Sequence, residues 1–142
     1  MSTAPVNKRR QSRIFAMQAL FQWHFTQEAP DILLQDFIVE HVTELKAVDL
    51  PFCRQLFLGA VNSVEKIDGA LTPLLSRDIT SLNPVELSIL RLAVYELQNH
   101  PETPKKVVVN EAIELAKGYG AVDGYKFVNG VLNAALRELF RA

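Results

Sequence analysis

A segment near the N-terminus constrains this chain more than any other. Placed on a helix at about 100° per residue, Ile14, Met17, Phe21 and Phe25 form one apolar stripe. Phe15, Ala19 and Trp23 form another on the far side, widened by Ala16 and Leu20. An ordinary amphipathic helix needs one core-facing stripe; a helix apolar on nearly all sides belongs between two helical layers. The expectation is therefore a central, mostly buried helix, with Trp23 inaccessible. The uncharged run Ile14–Gln27 is 14 residues long and carries Gln18, Gln22 and His24, too short and too polar for a membrane span. No small-residue cleavage site follows it, so a secretory signal is not expected.

Strand signals are nearly absent. The β-branched run Val107–Val109 leads straight into a segment of helical spacing, with Val108, Ala112, Leu115 and Tyr119 on one stripe and Glu111, Glu114 and Lys117 on the wet face. Asp49 with Pro51 opens one helix. Asn83-Pro84-Val85-Glu86 opens another: the Asn83 side chain can accept a backbone N–H, Pro84 has none to lose, and Glu86 can reach back as a capping box. Thr103-Pro104 is expected to start the next helix in the same way, Gly118 and Gly120 to supply left-handed C-caps, and Asp123 to cap the last helix. The reading is an all-α fold of about seven helices in a single domain over residues 1–142, with a basic leader over about 1–13. No repeat, low-complexity tract or long linker interrupts it.

Little in the chain suggests catalysis. His24, His41 and His100 are scattered, and Glu65 with Asp68 reads as a solvated pair. The lone Cys53 lies in an apolar run and excludes an internal disulfide or a multi-cysteine zinc site. No metal, cofactor or nucleophile motif is present, and a soluble reducing compartment, the cytoplasm, fits. Charge is more telling. The net charge of −1 hides a basic head, because residues 1–27 hold Lys8, Arg9, Arg10 and Arg13 and no acid. Arg10, Arg13, Met17 and Phe21 lie in line at spacings of three, four and four, so guanidinium groups share a stripe with an aromatic ring. Cations neutralise phosphates and rings stack unpaired bases, which is how single-stranded nucleic acid is held. A solvated leader on an unremarkable domain is the competing reading.

The C-terminal third is more specific. Val108-Val109-Asn110-Glu111-Ala112-Ile113-Glu114-Leu115-Ala116-Lys117, a Gly-Tyr-Gly-Ala linker, Asp123, then Lys126-Phe127-Val128-Asn129-Gly130-Val131-Leu132 closely resembles the signature of the NusB family of bacterial transcription antitermination factors. The likeness extends through Glu86, Leu90-Arg91 and Tyr95-Glu96-Leu97 to Ala16–Trp23 and the arginine-rich leader, and is weakest between residues 28 and 80. The resemblance implies two small perpendicular helical bundles sharing one core, no enzymatic activity, and no cofactor. It implies binding of single-stranded boxA RNA jointly with the small-subunit ribosomal protein NusE, within the RNA polymerase antitermination complex that promotes rRNA operon transcription. A NusB-like module also begins an rRNA methyltransferase, but this chain has no room for that catalytic domain.

By resemblance, Arg9, Arg10 and Arg13 meet RNA phosphates. Phe21 stands where relatives usually carry tyrosine, keeping a stacking face and losing a hydroxyl. Lys106, Asp123, Lys126 and Phe127 match positions on the RNA-facing side, and Glu86 matches one that faces the partner. Each has a structural alternative: Glu86 as capping box, Asp123 as N-cap, Phe127 as core. Glycine at Asn129-Gly130 inside a helix costs about 1 kcal/mol against alanine, so a close helix–helix approach is expected there, with direct RNA contact the second reading. The residues leave open a helical interaction scaffold or homodimer without specific RNA binding, whose basic leader is incidental.

Overall fold

The computed structural model describes residues 7–140; the expected leader extends to residues 1–6, which lie outside them. The described residues form seven α-helices with short 3₁₀ turns between some of them and no strand: α1 Lys8–Thr26, α2 Pro30–Glu40, α3 Leu50–Asn62, α4 Val64–Leu71, α5 Pro84–Asn99, α6 Lys105–Tyr119 and α7 Gly124–Glu138. Helix α1 packs on α2, α3 and α5, while α5 also packs on α4, α6 and α7. Two groups of helices, α1–α3 and α4–α7, thus meet where α1 and α3 pack on α5. A single hydrophobic cluster runs through both, from Phe15, Leu20 and Leu33 to Val128 and Leu132.

The central position of α1 follows from its two stripes. Ala16, Met17, Ala19, Leu20 and Trp23 are all buried, Trp23 with 8% of its surface exposed. The one departure is Phe25, which is 61% exposed at the end of the helix, where α1 outruns the layer that covers it. Buried polar groups on α1 find partners from other elements. Ser12 Oγ donates to the Lys8 carbonyl at 2.6 Å and accepts from the Asp49 amide at 2.8 Å, tying α1 to the start of α3.

Several capping signals act as their chemistry requires. Asp49 accepts from the Phe52 amide at 3.2 Å, and Asn83 accepts from the amides of Val85 and Glu86 at 2.9 and 3.3 Å. Others differ. Glu86 does not close a capping box: its carboxylate turns away from Asn83 and accepts from the amide of Ala121 at 3.0 Å, across the α6–α7 loop. Pro104 sits just before α6 instead of at its first position, and it makes no side-chain cap. Asp123 holds the N-cap position of α7 but makes no capping bond, because its backbone is left-handed at φ 64°. Neither Gly118 nor Gly120 is left-handed; Gly120 is extended at φ −84°, ψ −178°. The left-handed C-cap lies instead at Gln27, whose amide Nε2 bonds back to the carbonyls of Trp23 and His24.

At two glycines a side chain of another helix fills the space a Cβ would need. A side chain at Gly59 would enter the ring of Tyr95, so α3 and α5 touch there. A side chain at Gly124 would enter the carboxylate of Glu86. The expected approach at Gly130 is absent, since a Cβ there meets nothing within 4 Å and the residue is exposed on the outer face of α7. The Glu65–Asp68 pair also resolves differently. Asp68 accepts two hydrogen bonds from Arg91, at 2.9 and 2.8 Å, and Arg91 Nη1 donates to His24 Nδ1 at 3.2 Å. This group locks α1, α4 and α5 together.

Candidate nucleic-acid interface

Residues 8–13 of the basic leader form the first turns of α1, and each of their three arginines meets a carboxylate of the body. Arg9 lies over the ring of Phe52, 3.8 Å from its centroid, with its Nε 3.7 Å from Asp49. Arg10 forms a bidentate pair with Glu111 of α6, Nε to Oε1 at 3.0 Å and Nη2 to Oε2 at 2.7 Å. That hydrogen bond and charge raise the arginine's affinity for its proton still further. Arg13 forms a second bidentate pair, with Glu96 of α5 at 2.8 and 2.6 Å.

These arginines are not equivalent. The side chains of Arg9 and Arg10 are 45% and 49% exposed, whereas that of Arg13 is 7% exposed and its partner Glu96 is 2% exposed. The Nε–Nη2 fork of Arg13 is taken by Glu96 and its Nη1 faces Glu111, so it is a buried structural cation and does not present itself to a phosphate. The expected role of Arg13 therefore shifts from contact to support. Its helical spacing is as expected; its long-range partner, 83 residues away, leaves no local mark in the sequence.

Phe21 is half-buried, two turns beyond Arg13 on α1. It lines a slot of about 200 Å³ with Met17, Gln18, Val85 and Tyr119. Tyr119, expected on the buried stripe of α6, is 45% exposed because the helix ends there and its ring leaves the core for the slot. The Arg10–Glu111 pair at one end and the slot lined by Phe21 and Tyr119 at the other link α1 and α6 through side chains. At about 1.5 Å per residue the two sites lie roughly 12–16 Å apart, the span of two or three extended nucleotides. The other side of Phe21 opens on Gln18, Gln22, Phe25, Thr26, Phe37 and His41, with the Phe21 and Phe25 rings edge to face at 5.1 Å.

Val85 on the slot wall is followed by Glu86, whose carboxylate reaches the α6–α7 loop. Glu86 is 3% exposed and holds the loop through Ala121 and Gly124. Beyond it Asp123 is exposed and pairs with Lys126 at 3.6 Å. Lys126 and Lys117 flank the ring of Tyr125 at 6.0 and 5.1 Å. Phe127 is partly buried against the core, and the Arg77 guanidinium covers its ring at 5.2 Å. Lys106 is exposed in the first turn of α6. Sequence reasoning misses Tyr119, Arg77 and Lys117. The first is hidden by a stripe that extends one turn too far, the other two by partners that local spacing does not reveal.

Among the described residues no group of three His, Cys, Asp or Glu side chains could hold a metal ion, and no helix is long and apolar enough to cross a membrane. Cys53 is buried and its thiol is pushed up to about 12 by desolvation, so it is no nucleophile. The fold and this face define an all-helical binding module. Residues 10–137 match the model of the NusB family. The transcription antitermination protein NusB of Histophilus somni (strain 2336) is 44% identical over 136 residues, covering 96% of this chain and 94% of that protein. NusB of Coxiella burnetii (strain Dugway 5J108-111) is 43% identical over 135 residues, covering 94% and 96%. Among solved structures, T. maritima NusB matches with a TM-score of 0.80 at 31% identity, over 97% of this chain and 94% of that one. NusB from a complex of the antitermination factors NusB and NusE with dsRNA matches with a TM-score of 0.80 at 30% identity, over 92% and 96%. This chain belongs to the NusB family.

Proposed function

We propose that this protein is an RNA-binding transcription antitermination factor of the bacterial cytoplasm. It acts by binding, holding single-stranded boxA-type RNA together with the ribosomal protein NusE as part of the RNA polymerase antitermination complex. One observation carries this reading: exposed arginines and a base-sized aromatic slot lie on the same face, along α1 and α6. Arg9 and Arg10 take phosphates, a base enters between Phe21 and Tyr119, and the Gln18 amide borders that slot. By the family resemblance, Lys106, Asp123, Lys126 and Phe127 add further RNA contacts. Glu86 supports the partner side by fixing the loop between α6 and α7, since its own carboxylate is buried.

The test is a pair of substitutions at Phe21, read by RNA titration and by urea unfolding. Phe21→Ala should cost about 1–3 kcal/mol of RNA binding, the usual worth of one stacked base. Because the ring is only half-buried, its folding cost should fall below the ~3–5 kcal/mol of a fully buried phenylalanine. Phe21→Tyr should bind normally and remain as stable. A folded Phe21→Ala variant that binds RNA like the parent would overturn the stacking role.

A further inference from the structure

The leader that reads as a free basic head is sheathed in the folded protein: Asp49, Glu111 and Glu96 each stand against one of its three arginines. Of these carboxylates, Glu111 alone makes a bidentate pair with an arginine that is open to solvent. Its two oxygens occupy the Nε–Nη2 edge of Arg10, the same fork that a phosphate would use. We infer that Glu111 is an internal competitor for RNA phosphate, which occupies Arg10 in the free protein and is displaced from it on binding. The inference rests on the RNA-binding reading above.

Two features suit Glu111 to exchange. Arg10 sits at the surface and can swing away without exposing the core. Glu111 Oε1 also lies 3.7 Å from Arg13 Nη1, so its charge stays compensated when Arg10 leaves. By contrast the Arg13–Glu96 pair is buried and has no room to open. Glu111 thus lowers the leader's affinity for any polyanion. RNA that also fills the Phe21–Tyr119 slot can pull Arg10 across, whereas a phosphate backbone alone gains less.

The test is a double-mutant cycle, Glu111→Gln and Arg10→Gln singly and together, with each variant's fold checked by thermal melting. A labelled single-stranded oligouridylate dodecamer is titrated at several salt concentrations. Glu111→Gln should tighten binding about two- to five-fold at low salt, the worth of an exposed ion pair. Its log–log salt slope should steepen by up to roughly 0.7, because no released carboxylate takes up a cation to offset the one that the phosphate gives up. Both gains should vanish in the Arg10→Gln background. Unchanged or weaker binding by a folded Glu111→Gln variant, with Arg10→Gln still weakening the parent, would overturn the competitor role alone and make Glu111 a positioning residue. Arg10→Gln without effect on affinity or slope would overturn the contact at Arg10 and the competitor with it.

Discussion

Arg13 and Glu96 meet inside the protein through two parallel hydrogen bonds, at 2.8 and 2.6 Å, and neither side chain exposes more than 7% of its surface. The pair joins α1 to α5, two of the helices along which the helical groups meet. Removing one partner leaves a buried charge unpaired. Arg13→Ala should therefore cost about 3–5 kcal/mol of folding stability. The double replacement Arg13→Met with Glu96→Leu should cost much less, since two apolar groups need no partner. Urea unfolding of the two variants beside the parent checks both statements.

Gly124 and Glu86 form a second tight relationship. A methyl group at Gly124 would collide with the carboxylate that anchors the α6–α7 loop. Gly124→Ala should destabilise the protein by about 1–3 kcal/mol, the usual range for overpacking. Adding Glu86→Ala to it should cost less than the sum of the two single changes, because the second change empties the space the first one needs. Strict additivity in urea unfolding would show that the two residues do not compete for space.

These pairs also mark the boundary of what is legible in the sequence. Helix starts at Asn83 and Asp49 can be read because a cap and its partner lie within three residues. The burial of α1 can be read because periodicity is local. Glu86 is misassigned to a capping box for the same reason: local rules offer it Asn83, whereas the fold offers Ala121, 35 residues on. The leader's charge is legible and its pairing is not, since Glu96 and Glu111 come from α5 and α6. The exposed Gly130 is a cost without a contact in this chain, and nothing in the structure explains it.

Trp23 reports directly on the central position of α1. With 8% of its surface exposed, its emission should be blue-shifted and poorly quenched by iodide in the native protein. Urea should shift it to the red in step with the unfolding of the helices. A native spectrum already red-shifted and readily quenched would contradict the burial of α1 between two layers.

His24 gives the stability a pH dependence. Desolvation and the neighbouring Arg91 lower its pKa from the usual value of 6.5, the nearby Asp68 opposing them in part. The neutral ring accepts from Arg91, and a protonated ring cannot. As pH falls below 6.5 the unfolded chain takes up this proton first, so the folded state loses stability until pH passes the lowered value. His24→Gln should flatten this part of the stability profile, measured by urea unfolding between neutral and mildly acidic pH. Glu102, whose pKa is lowered by its hydrogen bond with His100, acts only at more acidic pH.

The most direct measurement is the salt dependence of RNA binding by the folded Arg9→Ala, Arg10→Ala variant, which spares the buried Arg13. If these two exposed arginines meet phosphates, the double variant should bind a single-stranded boxA-type RNA more weakly. Its log–log salt slope should be shallower by up to roughly 0.7 for each phosphate that is no longer neutralised. A double variant with the parent's affinity and slope would contradict the account, because the face along α1 and α6 would then not be where the RNA lies.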